Sequence, residues 1–136
     1  PYKDYTDLAL ALDTIRRRWP AAEVVATCAT GGRPDMALSV LGLLAGYADA
    51  PVWIEEDEVT ARILHQDDTW TIEGAEGKTF SIIAIAPNTE ISEHGLEWEL
   101  DHSPLGLLAD TGISNAVRKT AKVKVHQGVA IAYLYK

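Results

Sequence analysis

The first third of the chain has apolar residues at helical spacing. The residues that recur along one face of a predicted helix are Leu8, Leu12, Ile15 and Trp19. Thr6 is a favourable N-cap and Asp7 suits the first turn, while Pro20 prevents the helix from continuing. The pattern therefore predicts an α-helix over residues 7–18.

Two further apolar segments follow this helix. Residues 23–28 are apolar on both faces, which predicts a short strand of the parallel type and a buried Cys28. Pro34 suits the first position of a second helix, and its broad apolar face predicts a helix that is buried on most sides and stops near Asp49. Because one strand does not make a sheet, we expect its partner strands upstream of Pro1.

Beyond Pro51 the helical spacing gives way to short β-branched segments separated by turn residues. Strands are predicted at residues 52–55, 59–64, 69–73, 79–86, 96–100, 122–126 and 129–135. Turns are predicted at residues 74–77, 87–88 and 127–128, and Gly128 is free to adopt the positive φ of a tight hairpin. This spacing of short strands predicts an all-β antiparallel sandwich.

The change of pattern near Pro51 also predicts a domain boundary. Residues 1–50 are predicted to form helix, strand and helix, which is a remnant of an α/β domain. Residues 51–136 are predicted to form the sandwich. The expected fold is therefore an α/β remnant followed by an all-β domain.

Composition and charge limit the function classes. Hydrophobic residues make up 47% of the 136 residues, the usual share for a globular protein. The net charge of −8 makes a large polyanion such as DNA an unfavourable partner, although a small phosphorylated ligand needs only local complementarity. No apolar run approaches the length of a membrane span, and no signal peptide opens the chain. We therefore expect neither a nucleic acid nor a membrane as partner.

Cys28 is the only cysteine, so the chain forms no internal disulfide, which suits a reducing cytoplasm. The chain begins with Pro1 rather than with Met. We expect either a processed chain or a longer protein whose start is missing.

The segment Gly31-Gly32-Arg33-Pro34-Asp35 stands between the predicted strand and the second helix. Such a turn lets backbone N–H groups approach an anion at a helix N-terminus, where the macrodipole also favours negative charge. Arg33 offers a forked donor for phosphate, and Asp35 offers a carboxylate for Mg²⁺. The alternative interpretation is a structural βα turn with an exposed arginine and an aspartate that the helix dipole favours.

A second set of carboxylates lies at the start of the first helix. The spacing of Asp4 and Asp7 in Lys3-Asp4-Tyr5-Thr6-Asp7 suits either a shared hard cation or an ordinary acidic helix start. In α/β sheets, ligands gather beyond the C-terminal ends of the strands, where both this segment and the Gly31 turn are expected to lie. Convergence of their aspartates with Arg33 would make a Mg-nucleotide site.

The remaining candidates have ordinary structural interpretations as well. Trp98 lies in a predicted strand, where a core role competes with stacking on a ligand. Ser114-Asn115 follows Gly112 in a polar segment whose default interpretation is a turn. The histidines lack metal-ligand spacing, and Gly31-Gly32 lacks the Gly-Lys-Ser/Thr tail of a P-loop.

Taken together, these motifs resemble those of thiamine pyrophosphokinase (thiamine diphosphokinase). The family pattern is Lys/Gln-Asp-x-Thr-Asp, Gly-Gly-Arg-x-Asp, a Phe-Ser-apolar strand, Gly-Leu-x-Trp/Tyr-x-Leu and a late Ser-Asn. The corresponding segments here are Lys3-Asp4-Tyr5-Thr6-Asp7, Gly31-Gly32-Arg33-Pro34-Asp35, Phe80-Ser81-Ile82-Ile83, Gly95-Leu96-Glu97-Trp98-Glu99-Leu100 and Gly112-Ile113-Ser114-Asn115. Order and spacing match along essentially the whole chain. Met36 stands where the family usually has His or Gln, and Ala116 where bacterial members often have an acidic residue.

The resemblance implies a fold and a reaction. Residues 1–50 would be the C-terminal part of a Rossmann-like catalytic, nucleotide-binding domain, and residues 51–136 a sandwich for thiamine binding and dimerisation. Family members also carry an upstream segment with an aspartate-rich loop for Mg-ATP, so this chain looks like the C-terminal two-thirds of such an enzyme. The implied enzyme is a cytoplasmic homodimer that transfers the diphosphate of ATP to thiamine, giving thiamine diphosphate and AMP.

The resemblance also implies roles for individual residues. The ATP-binding residues would be Lys3, Asp4, Gly31, Gly32 and Arg33. The ligands of Mg²⁺ would be Asp4, Asp7 and Asp35, with Asp7 or Asp35 as the catalytic base. Thiamine would lie by Ser114, Asn115 and Trp98, in a cleft between the catalytic domain and the partner subunit's sandwich. The alternative from another class is a non-catalytic β-sandwich module that binds a small ligand or dimerises.

Overall fold

The structure, a computed structural model, describes residues 5–48 and 50–136. Its two helices are α1 (Asp7–Arg18) and α2 (Pro34–Ala45). Its strands are β1 (Val24–Thr27), β2 (Val52–Glu55), β3 (Val59–Leu64), β4 (Thr69–Ile72), β5 (Thr79–Ala84), β6 (Thr89–Leu96), β7 (Leu100–Leu105), β8 (Asn115–Gln127) and β9 (Ala130–Tyr135). The described part of the chain is therefore mostly β.

The strands form one mixed sheet in the order β1-β2-β3-β9-β5-β8-β6-β7, and β4 pairs with β8 outside this path. Only the β1–β2 pair is parallel among these named strands; the other pairs are antiparallel. β8 pairs with β5 only through Asn115 and Ala116, and continues alongside β6 and β4. It thereby joins the half of the sheet that contains β1 to the half that contains β7.

Both predicted helices are confirmed. Thr6 caps α1, because its Oγ1 accepts the backbone N–H of Ala9 at 3.2 Å. Pro34 occupies the start of α2, where its missing N–H costs nothing. α2 ends at Ala45, earlier than the predicted end near Asp49, a residue that lies outside the described part.

β1 corrects the expected position of its sheet partner. It pairs in parallel with β2, in a register that places Val24 opposite Val52, so the predicted partner upstream of Pro1 is wrong for this pair. α2 connects the two strands, as parallel neighbours require a crossover. The β1–β2 pair spans the predicted domain boundary at Pro51.

The strands of residues 89–105 were predicted least well. The predicted strand at residues 96–100 is instead the turn between β6 and β7, and these two strands were not predicted. Two irregularities of the backbone hide these strands in the sequence. Gly95 adopts φ +81°, and the register of β6 shifts once against β7 and twice against β8. Likewise β8 begins at Asn115 rather than at residue 122, because the exposed run Arg118-Lys119-Thr120 hides its alternation.

Two burial predictions are also wrong. Cys28 is exposed, because it follows the last residue of β1 with φ +53° and leaves the sheet. α2 is not buried on most sides: Met36 is 56% exposed and Leu38 is 68% exposed. Leu44 is the buried anchor of this helix.

The core has two parts. One lies under the helices and joins Leu12 and Leu44 to strand residues such as Ile54 and Ile131. The other is formed entirely by strand and turn residues and contains Phe80, Ile91 and Val123 at its centre. Neither helix of the described chain is long and apolar enough to cross a membrane.

Candidate functional site

The turn before α2 brings Arg33 and Asp35 together. Gly32 takes φ +80°, which turns the chain into α2. The guanidinium of Arg33 donates two hydrogen bonds to the Asp35 carboxylate, from Nε to Oδ1 at 3.1 Å and from Nη2 to Oδ2 at 2.5 Å. This arginine lowers the pKa of Asp35 from its ordinary value. Both side chains are exposed, so this pair is accessible to an anion or a cation.

Glu56 organises the backbone just before this turn. Its Oε1 accepts the backbone N–H groups of Ala29 at 2.9 Å and of Thr30 at 3.1 Å, and also the Thr30 hydroxyl at 3.1 Å. These donors, above all the Ala29 N–H, lower the pKa of Glu56. Sequence reasoning missed this residue. The available signal was its position directly after β2, whose C-terminal end lies beside that of β1.

The start of α1 faces the start of α2 across a cleft of about 270 Å³. Its lining residues are Tyr5, Thr6, Asp7, Leu8, Met36, Ser39, Val40 and Leu43. Asp7 therefore lies at the same cleft as Met36, the residue that follows Asp35. The first turns of both helices meet at this cleft, but neither Arg33 nor Asp35 is among the residues that line it.

Only part of the predicted metal site lies within the residues that the structure describes. Lys3 and Asp4 lie outside the described residues. Among residues 5–48 and 50–136, no group of three or more His, Cys, Asp or Glu side chains is placed to hold a metal ion. The predicted set of Asp4, Asp7 and Asp35 includes an undescribed residue, so it stays a prediction.

Asn115 connects the predicted thiamine-binding residues. Its Oδ1 accepts the backbone N–H of Trp98 at 3.1 Å, and its Nδ2 donates to the Trp98 carbonyl oxygen at 2.7 Å. Oδ1 also accepts the N–H of Ala116 at 2.9 Å. We call the two bonds between Asn115 and Trp98 the Asn115 clamp. The clamp holds the backbone of the β6–β7 turn, and Trp98 in this turn is 62% exposed.

Ser114, the residue before Asn115, is held by contacts with β5. It adopts φ +61°, and its backbone N–H donates to Ser81 Oγ at 3.0 Å. Two residues earlier, the Gly112 carbonyl accepts the Ile82 N–H at 2.9 Å. A Cβ at Gly112 would lie 2.4 Å from the Ile82 oxygen, so only glycine permits this approach.

Charged side chains also fix the β6–β7 turn. Glu99 Oε2 accepts the N–H of Gly95 at 2.8 Å, and this bond is the main cause that lowers the pKa of Glu99. Glu97 forms an ion pair with Arg118 of β8. The residues before and after Trp98 are thus both fixed by charged side chains, whereas Trp98 itself is exposed.

Glu93 of β6 lies two residues before Gly95 and was not singled out from the sequence. It is 2% exposed, and burial raises its pKa from 4.5 to about 7, with the Asn115 side chain acting in the opposite direction. Its Oε2 is buried without a hydrogen-bond partner among the residues that the structure describes. A buried carboxyl group with an unpaired oxygen is an unusual element of a strand core.

The two groups of predicted residues are not adjacent in one chain. The Gly31–Asp35 turn follows β1, the first strand of the sheet order, whereas Asn115 begins β8, the sixth. Adjacent strands are about 4.8 Å apart, which separates the two groups by on the order of 20 Å along the sheet. The predicted site residues therefore fall into two separate groups: Arg33 and Asp35 with Asp7 at the helix starts, and Trp98 with Ser114 and Asn115 at the start of β8.

Comparison with known proteins gives a family match for the part of the chain that contains the second group. Residues 64–130 match the family model of the thiamin pyrophosphokinase vitamin B1 binding domain. The matched segment contains Glu93, Trp98, Ser114 and Asn115. The resemblance that the motifs predicted is confirmed by this match. No curated protein sequence matches the chain.

Solved thiamine pyrophosphokinases share the fold. The Bacillus subtilis structure is 20% identical with a TM-score of 0.79, covering 99% of this chain and 65% of its own. The Geobacillus thermodenitrificans structure is 24% identical with a TM-score of 0.79, covering 100% of this chain and 64% of its own. The Candida albicans structure is 13% identical with a TM-score of 0.70. The match covers 85% of this chain and 45% of the Candida albicans chain. The chain thus spans about two thirds of the length of these bacterial structures.

Proposed function

We propose that this chain, whose residues 64–130 match the vitamin B1 binding domain of thiamin pyrophosphokinase, belongs to an ATP:thiamine diphosphotransferase. The observation that carries the proposal is that the matched segment contains an exposed Trp98 whose backbone is bonded to the Asn115 side chain. An exposed indole offers a stacking surface to an aromatic ring such as the pyrimidine of thiamine. Ser114, the residue before Asn115, is exposed and offers a hydroxyl.

The reaction requires charge neutralisation and positioning. The primary hydroxyl oxygen of thiamine attacks the β-phosphorus of ATP, the bond to the α-phosphate oxygen breaks, and AMP leaves. Arg33 stabilises the charge of the phosphates, and backbone N–H groups at Gly31 and Gly32 approach them. Asp7 or Asp35 accepts the hydroxyl proton. Lys3 and Asp4 complete the ATP-binding set.

The donor types at this cleft fit a hard divalent cation. Asp4, Asp7 and Asp35 would hold Mg²⁺, because carboxylate oxygens are its preferred protein ligands. The bound ion would supply neutralisation of the phosphate oxygens. In the structure the Asp35 carboxylate binds Arg33. Each Asp35 oxygen keeps a second lone pair for a metal ion, and the Arg33 guanidinium beside it is placed to bind a phosphate as well.

A homodimer would combine the two groups of predicted site residues. The separation between the Gly31–Asp35 turn and Asn115 supports a cleft made by residues 1–50 of one subunit and residues 51–136 of its partner. In this proposal residues 1–50 are part of a Rossmann-like catalytic domain and residues 51–136 form the thiamine-binding and dimerisation domain. The protein acts in the cytoplasm as part of a longer enzyme.

Replacing Asp35 with asparagine tests the catalytic half. In a version extended to the length of the relatives, we expect Asp35→Asn to lower the rate of thiamine-dependent AMP formation about a hundredfold, because one charged group at the phosphates is lost. Asp13→Asn is the matched control, since Asp13 is also exposed on a helix and pairs with Arg17 instead. Equal rates for both variants would remove Asp35 from the mechanism.

Replacing Trp98 with alanine tests the thiamine-binding half without any need for turnover. We expect Trp98→Ala to weaken thiamine binding about tenfold in calorimetry, the usual loss when one stacked ring is removed. Trp19→Ala is the control, because Trp19 is 57% exposed, close to the exposure of Trp98, and lies at the end of α1. Thiamine binding without AMP formation in the extended protein would support the non-catalytic module instead.

A further inference from the structure

We propose that the outer face of β6, β7 and β8 carries a binding site for a small dianion of the phosphate class. The site is separate from the Gly31–Asp35 turn, and it does not depend on the proposed function. Two lysines and a stacked pair of histidines bind the dianion, and the histidines take up protons as it binds.

A depression of about 220 Å³ lies on this face. Its volume is below the ~300–1,000 Å³ typical of pockets for drug-sized ligands, so it suits a small group. The residues that line it are His94, His102, His126, Lys122, Lys124, Ser92 and Asp101, and we call this set the histidine depression. Most of these side chains are cationic or become cationic on protonation, in a chain whose net charge is −8. A small anion is therefore the ligand that this surface favours.

The two lysines reach the outer face by strand alternation. Lys122 and Lys124 alternate along β8 with Val123 and Val125, which are fully buried in the core. Lys124 stands directly opposite Ser92 on β6, so these two side chains share one face of the sheet. Two ammonium groups on one strand face, with backbones about 7 Å apart, favour an anion between them.

A distortion of β7 brings two neighbouring residues into the histidine depression. Consecutive residues of a regular strand point to opposite faces, but Asp101 and His102 both line this depression. His102 adopts φ +45°, and the register of β6 against β7 shifts between Ile91 and Glu93. A positive φ strains a histidine, and the hydrogen bond that His102 N–H donates to Ser92 Oγ at 2.9 Å holds it there. Backbone strain of this kind concentrates at binding sites.

Ser92 connects the two histidines of β7 and β8. Ser92 is 6% exposed, and its Oγ lies 2.7 Å from Nε2 of His126 and 3.4 Å from Oδ1 of Asp101. A hydroxyl group has one proton to donate and two lone pairs that accept. Because the His102 N–H occupies one lone pair, this capacity is filled when Ser92 donates to Asp101 and His126 Nε2 carries a proton. Nδ1 of His126 is then the nitrogen that takes up a further proton.

Asp101 fixes the other histidine in the same way. Oδ1 of Asp101 lies 2.9 Å from Nδ1 of His102, and a carboxylate only accepts, so Nδ1 donates and Nε2 is the nitrogen that titrates. This hydrogen bond is the main cause that lowers the pKa of Asp101. Each of the two rings thus has one nitrogen bonded within the chain and one that faces a ligand when it is protonated.

The stacking of His102 on His126 couples the protons to the anion. The two ring centroids are 3.9 Å apart, and the ring planes are 14° from parallel. Two protonated rings at this distance repel each other, and Asp101 supplies only one negative charge. A bound dianion offsets the repulsion, so the anion and the protons bind cooperatively.

The other groups around the depression do not supply that negative charge. On β4, the residues opposite the two lysines are Thr69 and Thr71, which are uncharged. Glu99 Oε2 lies 3.4 Å from Nδ1 of His94 and also accepts the Gly95 N–H, so this carboxylate is engaged elsewhere. Within residues 5–48 and 50–136, no three or more His, Cys, Asp or Glu side chains are placed to hold a metal ion, so the histidines are not arranged as a metal centre.

Sulfate titration of the 136-residue chain by calorimetry tests the site, because sulfate keeps both negative charges where histidine titrates. We expect the dissociation constant to fall about tenfold from about pH 8 to about pH 6, since each exposed charge contributes a factor of about three. Titrations in two buffers with different enthalpies of ionisation should show proton uptake on binding. Equal affinity at both pH values without proton uptake would overturn the proposal.

Replacing the two lysines tests their charges. We expect Lys122→Gln combined with Lys124→Gln to weaken sulfate binding about tenfold at either pH. Lys119→Gln is the matched control, because Lys119 is exposed on the same strand but does not line the histidine depression. A loss in Lys119→Gln as large as in the double variant would mean that sulfate responds only to the net charge of the chain, which contradicts the proposal.

Replacing His126 with glutamine tests the coupling to protons. His126→Gln removes a titrating ring but keeps an amide that is able to donate to Ser92. Proton uptake on sulfate binding should fall, and the ratio between the affinities at the two pH values should shrink. Unchanged proton uptake would refute the role of the histidine pair.

Nuclear magnetic resonance locates the bound anion. Sulfate should shift the backbone amide signals of Ser92, His102 and Lys124, whereas shifts confined to Gly31 and Gly32 would place the anion at the turn before α2 and refute the site. Inorganic phosphate, which is also mostly a dianion at about pH 8, should shift the same signals, and its failure to bind would show that the phosphate class is wrong. Thiamine binding and AMP formation are measured separately, so this site and the proposed function fail independently.

Discussion

At pH 8, Glu93→Gln should be more stable than the wild type by about 3 kcal/mol in the free energy of unfolding. The reason is the raised pKa of Glu93, about 7 in the folded chain against 4.5 for an unperturbed group. Between these two values the folded state binds more protons than the unfolded state, so stability falls as the pH rises. The contribution of Glu93 is complete below 4.5 and is lost above 7.

Urea unfolding at a series of pH values measures this effect. The difference between Glu93→Gln and the wild type should be small near pH 4, grow through the interval between 4.5 and 7, and level off above it. Glu76→Gln is the control, because Glu76 is exposed in the turn before β5. A difference that is constant with pH would show that Glu93 titrates normally in the folded chain.

The helices were predictable because their signals are local. Thr6, Pro34 and the apolar stripe of α1 determine where each helix begins, and neighbouring residues alone supply these signals. The partner of β1 was not predictable in this way. Its pairing with β2 depends on how α2 packs over the sheet, which is a property of the tertiary structure.

The strands around Trp98 were hidden for a different reason. Glu93 and Ser92 are polar, so β6 lacks an apolar alternation, yet both side chains are buried. The irregular register of β6 and the positive φ of Gly95 and His102 break the period on which strand prediction depends. Sequence reasoning therefore placed a strand on the turn itself.

The motifs singled out Trp98, Ser114 and Asn115 as candidate residues, but they gave no contacts between them. In the structure Asn115 bonds the Trp98 backbone, whereas Ser114, the residue before Asn115, bonds Ser81 of β5. The contributions of Glu56 and Glu93 depend on hydrogen bonds and burial across distant strands. A single sequence gives no signal for such contacts beyond the residue type.

Gly95→Ala should destabilise the chain by about 4 kcal/mol, the largest effect expected here, because backbone strain and a steric clash add. A Cβ at Gly95 would lie 2.2 Å from the Thr120 oxygen and 2.9 Å from the Ala121 Cα, both backbone atoms of β8. Gly95 also adopts φ +81°, a conformation that is strained for alanine. The clash is relieved only if β6 moves away from β8 at the residues just before the turn that contains Trp98. Thermal or urea unfolding measures the loss.

Gly77→Ala separates the two causes. Gly77 adopts φ +84°, nearly the value of Gly95, but a Cβ there meets no atom within 4 Å in the described structure. Its substitution should therefore cost only the strain, about 1 kcal/mol. The difference in destabilisation between Gly95→Ala and Gly77→Ala then measures the steric clash, and so how closely β6 and β8 approach each other. If both substitutions cost the same, β6 and β8 do not make the close contact on which the Glu93 and Trp98 arguments depend.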